Sequence, residues 1–260
     1  MKRHKRAVRL TRLAVAIIFW LGLWSFTAWR LGQPLLLPMP HRVAACLWGL
    51  MKNPSFWSTT GASLLRVLGG LVLAVVLGCG LAVLTERYEW LNALFSPVLT
   101  LIRSVPVASF ILLAVLWIGR DRVPVFIVVL MALPVVWSNV AAGIHTTDPA
   151  LLEMSRAYQF SRWRQLRRVW LPSVMPQFLS ACRTALGLAW KAGVAAEVLT
   201  VPAKSIGRML YTTKQNLEVE ELFAWTAVVV VLSLIIEQGL LSLLSAAGSA
   251  YNAKGGRRHG

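Results

Sequence analysis

Three ionisable residues, Arg183, Lys191 and Glu197, fall inside one apolar run of this 260-residue chain, at i, i+8 and i+14. Charges at membrane depth are costly and mark ion or substrate paths by default. The spacing puts Arg183 and Lys191 on roughly one helix face, with Glu197 offset. Arg183 can snorkel to one interface and Glu197 to the other. Lys191 lies mid-run, so it either pairs with an acid or a helix end, or lines a pathway and offers a passing anion a transient site. Arg103, Pro106 and Asn139 join Lys191 and Glu197 as candidates for that pathway. Covalent chemistry has poorer material. Ser104, Ser109, His145 and Asp148 are the side chains a membrane hydrolase would use, yet no nucleophile–base spacing recurs. The histidines His4, His41, His145 and His259 are scattered, and Cys46, Cys79 and Cys182 lie far apart in or beside apolar runs, so neither metal site, cofactor nor disulfide is expected. No G-x-x-x-x-G-K-S/T phosphate loop occurs, which assigns any ATP hydrolysis to a separate subunit.

A second constellation is EMSRAYQFSRWRQLRRVWLPSVMP, residues 153–176, with five arginines between two long apolar runs. Asp148 followed by Pro149 is a helix start, and Ser161 is another, so two short helices in tandem are predicted. On the first, Leu152, Ser155 and Arg156 recur at helical spacing, and Glu153 sits near the positive N-terminal end. On the second, Trp163, Leu166 and Trp170 form one stripe and Arg164, Arg167 and Arg168 another. Such a pair is either an amphipathic connector held by anionic headgroups or a docking element for a partner. Periodicity does not separate the two.

The elements that position these residues are membrane helices. Mean hydropathy is +0.64, with 57% hydrophobic and 14% charged residues, against about a quarter charged in soluble chains. Roughly 20 apolar residues span a bilayer, and six runs qualify: 13–29, 61–84, 91–118, 123–144, 171–199 and 222–246. Pro97 and Pro106 interrupt the third, which is predicted to kink and to face away from lipid. The formal charge of +17 could suggest nucleic acid, but the basic residues cluster at the ends of apolar runs instead. With the N-terminus inside, the inner segments hold 15 Lys and Arg and the outer ones 8, which predicts both termini on the cytoplasmic side. The basic-then-apolar start resembles a signal peptide, but its apolar part is long and carries tryptophan, so a retained helix is expected. The organisation is a basic tail at 1–12, one transmembrane domain at 13–246 with its longest cytoplasmic connection at 145–171, and a second basic tail at 247–260.

The segment DPALLEMSRAYQFSRWRQLRRVWLPSVMP resembles the cytoplasmic signature of binding-protein-dependent ABC importer permeases: Glu-Ala-Ala, a glycine four residues on, and a distal Leu-Pro. Glu153, Met154 and Ser155 stand at the first three positions, Gln159 at the glycine, Leu171 and Pro172 at the Leu-Pro. RSVP at 103–106, ALPVVWSNVAAGIHTTDP at 132–149, RTALGLAWKAGVAAEVL at 183–199 and the KSIGRMLYTTKQ loop extend the likeness over roughly residues 35–245, nearest to the nitrate, sulfonate and taurine branch. The resemblance implies an all-α integral membrane protein of about six transmembrane helices, type I ABC importer permease-like, in the bacterial inner membrane. It implies ATPase subunits docked on Leu152, Glu153, Met154, Ser155, Arg156, Ala157, Tyr158 and Gln159, with Trp163, Arg164, Arg167, Arg168 and Trp170 anchoring the loop to the membrane. It also implies an extracytoplasmic substrate-binding protein and a homodimer or paired permease, with no nucleic acid. A self-contained secondary transporter or channel, or a vitamin-type ABC scaffold, is the alternative. The departures are Met154 and Ser155 for two alanines, and Gln159 where a left-handed turn would suit glycine at a saving of about 1 kcal/mol.

Overall fold

The computed structural model describes residues 2–256, and side chains for 11–12, 14–239 and 242. Among the described residues, eleven helices follow one another: α1 (Lys2–Leu31), α2 (Pro40–Met51), α3 (Pro54–Arg87), α4 (Glu89–Ser104), α5 (Val107–Ile118), α6 (Val123–His145), α7 (Pro149–Ala157), α8 (Arg162–Gln165), α9 (Leu171–Thr200), α10 (Ile206–Gln215) and α11 (Val219–Gly256), with a π-helical turn at Leu166–Trp170. No strand occurs among the described residues. Backbone helix runs through most of both basic ends; their side chains from 2 to 10 and from 243 onward, and residues 1 and 257–260 altogether, lie outside the described residues.

The centre is α3, α6 and α9. Gly70, Ala74, Gly78 and Ala82 of α3 recur every four residues and are buried. They face the row Val128, Ala132, Val136 and Val140 on α6. A Cβ on Gly78 would lie 2.9 Å from Val136 Cβ, so only glycine permits this approach. Ala181, Ala185, Ala189 and Gly193 continue the pattern on α9. Between membrane helices there is little hydrophobic drive, and small residues let dispersion supply the association. Ile111 and Ala114 of α5 close a second cluster on Val123, Ile127, Ala192 and Ala196. At the far end Phe56 stacks on Trp225, 5.1 Å between ring centres, tying α3 to α11.

Among the described residues, four helices are long and apolar enough to cross a membrane: α1 from Ala14, α3, α6 and α11 from Val219 to Gly239. Six runs were expected. The fifth, α9, is 30 residues long, about 45 Å at 1.5 Å per residue, and falls short only in hydropathy because it carries Arg183, Lys191 and Glu197. The remaining one, 91–118, is the main difference. Its two helices, α4 and α5, meet at 108°, so the expected kinked span is a sharp bend. Helix continues through Pro97 but ends at Ser104, because Val105 (ψ 134) and Pro106 (ψ 130) are successive extended residues. A residue before proline is pushed into that region by the pyrrolidine ring.

Candidate functional site

Polar side chains gather at the two ends of α9, one cluster in the 145–171 loop and the other against α10. At the first, the predicted starts are in place. Asp148 Oδ1 accepts from Ala150 N at 2.8 Å with Pro149 opening α7, and Ser161 Oγ accepts from Arg164 N at 3.4 Å to open α8. Between them the chain closes α7 with a Schellman turn. Phe160 N donates to Ser155 O and Gln159 N to Arg156 O, both at 2.9 Å, and Gln159 has φ +50°. The glycine position is therefore left-handed, and this chain bears the cost of a side chain there. Gln159→Gly should raise stability by about 1 kcal/mol, read as an upward shift in the melting temperature of the detergent-solubilised protein.

Ser155 faces inward, 2% exposed. Its Oγ donates to Leu152 O at 2.7 Å and accepts from Gln165 Nε2 at 3.1 Å, which fastens α7 to α8. Alanine could not make either bond. The spacing grouped Leu152, Ser155 and Arg156 together, but only Leu152 and Ser155 turn inward. Leu151, Met154 and Tyr158, at i, i+3 and i+7, are 40%, 41% and 72% exposed. They make an apolar stripe flanked by the exposed Glu153, Arg156 and Ala157, a face that a neighbouring groove can take.

The predicted Trp163–Leu166–Trp170 stripe is broken by the π turn. Leu171 N bonds to Leu166 O, one residue further back than in an α-helix. The extra residue sends Val169 inward and leaves Trp170 half-buried, while Trp163 stays 70% exposed. Pro172 supplies the cause: lacking N–H, it disfavours a regular α-turn over Arg168. Arg164, Arg167 and Arg168 all remain exposed, Arg164 resting 5.7 Å over the Phe160 ring.

About 39 Å from Leu171 along α9, Glu197 is wholly buried. Snorkelling to the interface was expected; the carboxylate is instead enclosed. Oε1 accepts from Arg66 at 2.7 Å, and Oε2 from Ser63 Oγ at 2.7 Å and Gly207 N at 3.3 Å. Ser63 Oγ in turn accepts from Ile206 N at 2.9 Å. The negative charge thus meets both a guanidinium and the N-terminal amides of α10, where the helix dipole is positive. Arg66 also donates to Ala203 O at 2.7 Å and Lys204 O at 3.0 Å, and Asp121 Oδ1 accepts from Ala203 N at 3.2 Å. These bonds hold a strained loop: Val201 and Lys204 have φ +50° and +48°, costly for a β-branched residue above all. A Cβ on Gly207 would lie 2.3 Å from the backbone of Glu197, so α10 can approach α9 only through this glycine.

The remaining pathway candidates are spread out. Arg103, at the 108° bend, donates to Pro134 O and to Ser138 Oγ, joining α4 to α6. Pro106 opens α5 beside it, and Asn139 is half-buried with Nδ2 on Val135 O at 2.8 Å. Arg183 and Lys191 do share a face of α9, with Thr184, Gly187 and Leu188, and that face is exposed. No hydrogen bond or ion pair within the chain engages Lys191 among the described residues. Three of the four hydrolase candidates are occupied locally: Ser104 Oγ donates to Leu101 O, His145 Nδ1 stands 3.7 Å from Glu86, and Asp148 caps α7. No three metal-ligating side chains converge among the described residues. Burial, reinforced by Glu221, Glu220 and Glu218, pushes the Cys46 thiol up, away from nucleophilic use.

Ser63, Arg66 and Gly207 were not singled out in the sequence. Arg66 carried a signal, as a lone charge inside an apolar run, but its partner lies 131 positions away.

Residues 70–245 match the family model described as binding-protein-dependent transport system inner membrane component. The chain is similar to the taurine transport system permease protein TauC of Escherichia coli K12, 27% identical over 238 residues, 89% of this chain and 85% of that protein. It is 30% identical to the putative aliphatic sulfonates transport permease protein SsuC of the same organism over 187 residues, 71% and 70% of the two chains. Among solved structures it resembles a chain of a bacterial ABC transporter involved in the import of the acidic polysaccharide alginate. That match has a TM-score of 0.62 at 17% identity, covering 94% of this chain and 98% of the other. At that identity the likeness speaks for the fold.

Proposed function

The chain belongs to the binding-protein-dependent transport system inner membrane component family, the membrane subunits of ABC importers, and we propose that it works as a pair driven by ATPases docked on α7. The cargo in this reading is a small anion of the nitrate, sulfonate or taurine kind, handed over by an extracytoplasmic binding protein. Relatives named for taurine and sulfonates support the substrate class. The excess of Lys and Arg on one side supports a cytoplasmic 145–171 loop and cytoplasmic termini.

The observation that carries the docking is the exposed Leu151, Met154 and Tyr158 stripe on a helix whose other face is locked by Ser155. A helix so fastened transmits push or rotation through α8 and the π turn into α9. Arg183 and Lys191, on the open face of α9, line the pathway in the pair, while the Glu197 cluster closes the opposite end. Family membership weighs against a self-contained transporter or channel and against a vitamin-type scaffold. Glu153→Ala should weaken ATPase association about tenfold, measured by co-purification with the neighbouring ATPase subunit. Recovery at wild-type yield would count against the docking role.

A further inference from the structure

A cavity of about 700 Å³ opens beside the docking loop, between the ends of α3 and α6 and the α8–α9 junction. None of the roles above uses it. Its wall is apolar, including Val83, Val140, Leu166, Val174, Met175 and Phe178, while Glu86, Arg87, Arg162 and Trp170 stand at the loop end. We propose that this cavity holds one acyl chain of an anionic phospholipid, whose headgroup sits between Arg87 and Arg162. The proposal rests on the preceding reading only for which leaflet supplies the lipid.

Four observations converge on that occupant. The apolar wall runs from the level of Cys79 and Phe178 to Arg87 and Arg162, eight residues along α3 or about 12 Å. One leaflet of hydrocarbon is about 15 Å deep, so the dimension suits a chain lying along the helices. The wall is open sideways: Val83, Leu166 and Leu171 are 55%, 48% and 45% exposed, where a lipid tail reaches them without entering from water. The mouth lies at the ends of the spans, the depth of headgroups, with a tryptophan alongside as is usual at that interface. Finally, the charge suits an anion. Two guanidiniums outweigh one carboxylate, and Glu86 is turned to His145 at 3.7 Å. Arg87 rests its guanidinium 5.6 Å over the Tyr88 ring, keeping it at the interface. Basic pockets between membrane helices on the cytoplasmic side bind anionic lipid heads in this way.

The test is native mass spectrometry of the full chain, together with its ATPase where that co-purifies, extracted from vesicles of equal phosphatidylglycerol and phosphatidylcholine. The wild type should retain one phosphatidylglycerol per protomer in preference to phosphatidylcholine. Each arginine near an anionic surface is worth about fivefold in affinity, so Arg87→Ala with Arg162→Ala should cut retention about twenty-five-fold. Val174→Trp, which fills the apolar part and keeps both arginines, should lose the lipid as well. Equal retention of the two lipids, or phosphatidylglycerol retained by both variants, overturns the proposal. So does a cross-link placing the chain's own residues 240–260 in the cavity of the wild type. ATPase recovery is read from the same samples: its loss with lipid kept ends the docking reading alone, and lipid loss with ATPase kept in the wild type ends this one alone.

Discussion

Glu197→Ala should lower the stability of the protein by about 3 kcal/mol, and Arg66→Ala by a similar amount. Removing one member of a buried pair leaves the other uncompensated, at a cost of about 3–5 kcal/mol. The lower end applies because the Arg66 side chain is 20% exposed and keeps its bonds to Ala203 O and Lys204 O. Alanine at 197 also strands the amide of Gly207 and the hydroxyl of Ser63, each a desolvated polar group. The double variant should cost clearly less than the two singles together, since no unpaired charge remains. Gly207→Ala should be comparable or worse, because its Cβ meets backbone rather than a movable side chain. Melting temperatures and folded yields of the solubilised variants provide the measurement. If Glu197→Gln and Glu197→Ala both melt like the wild type and lose only uptake, the cluster is not a clamp, and Glu197 belongs with the pathway.

The clamp and the docking loop show what a sequence displays and what it conceals. Asp148, Pro149 and Ser161 were readable as helix starts because capping is a bond between residues two or three apart. The left-handed turn at Gln159 was suggested by the glycine that the resembled signature carries at that position, and the structure shows it at φ +50°. The π turn was not, although its cause, Pro172, lies two residues beyond it: several local adjustments relieve a proline, and the sequence does not choose among them. The 108° bend escaped because hydropathy registers how apolar a run is, not whether its two halves stay collinear. Glu197 stood out as a charge in an apolar run and Arg66 carried the same signal unread, but pairing across 131 positions depends on how α3 packs on α9. That packing has its own trace in the four-residue spacing of Gly70, Ala74, Gly78 and Ala82.

The two clusters are joined by one continuous helical rod from Arg162 through the π turn to Thr200. Along its inner side the rod is packed on α6 and α3 through alanines and glycine, so it shifts as a body more readily than it bends. In the proposed reading, a displacement of α7 would arrive at Glu197 as movement of the α9 end. There it meets a loop with two left-handed residues held by Arg66 and Asp121. Strain of this sort, about 1–3 kcal/mol per residue, favours a second arrangement once the bonds that enforce the first are shifted. In the proposed reading, an ATPase docked on α7 would act through this rod on the Glu197 cluster.

Lys191→Met should abolish uptake of the transported anion while ATPase association and basal ATP hydrolysis stay at wild-type level. Lys191 is on the open face of α9, nine residues short of Thr200, or about 14 Å along the helix. Too deep to snorkel easily, it has no partner within the described chain. An ammonium left so would be very costly against lipid, whereas in a pair with two-fold symmetry two such faces turn toward one axis. In the proposed pair, two lysines there would repel each other, and an anion between them would relieve that repulsion. Methionine keeps the length and packing of the stem and deletes the charge. Lys191→Arg should preserve part of the uptake, and Arg183→Met, two turns nearer the loop, should impair it less. Uptake assayed in proteoliposomes with the binding protein present decides the matter: unchanged transport by Lys191→Met would remove the lysine from the pathway, and loss of ATPase association alongside transport would make it a structural residue instead.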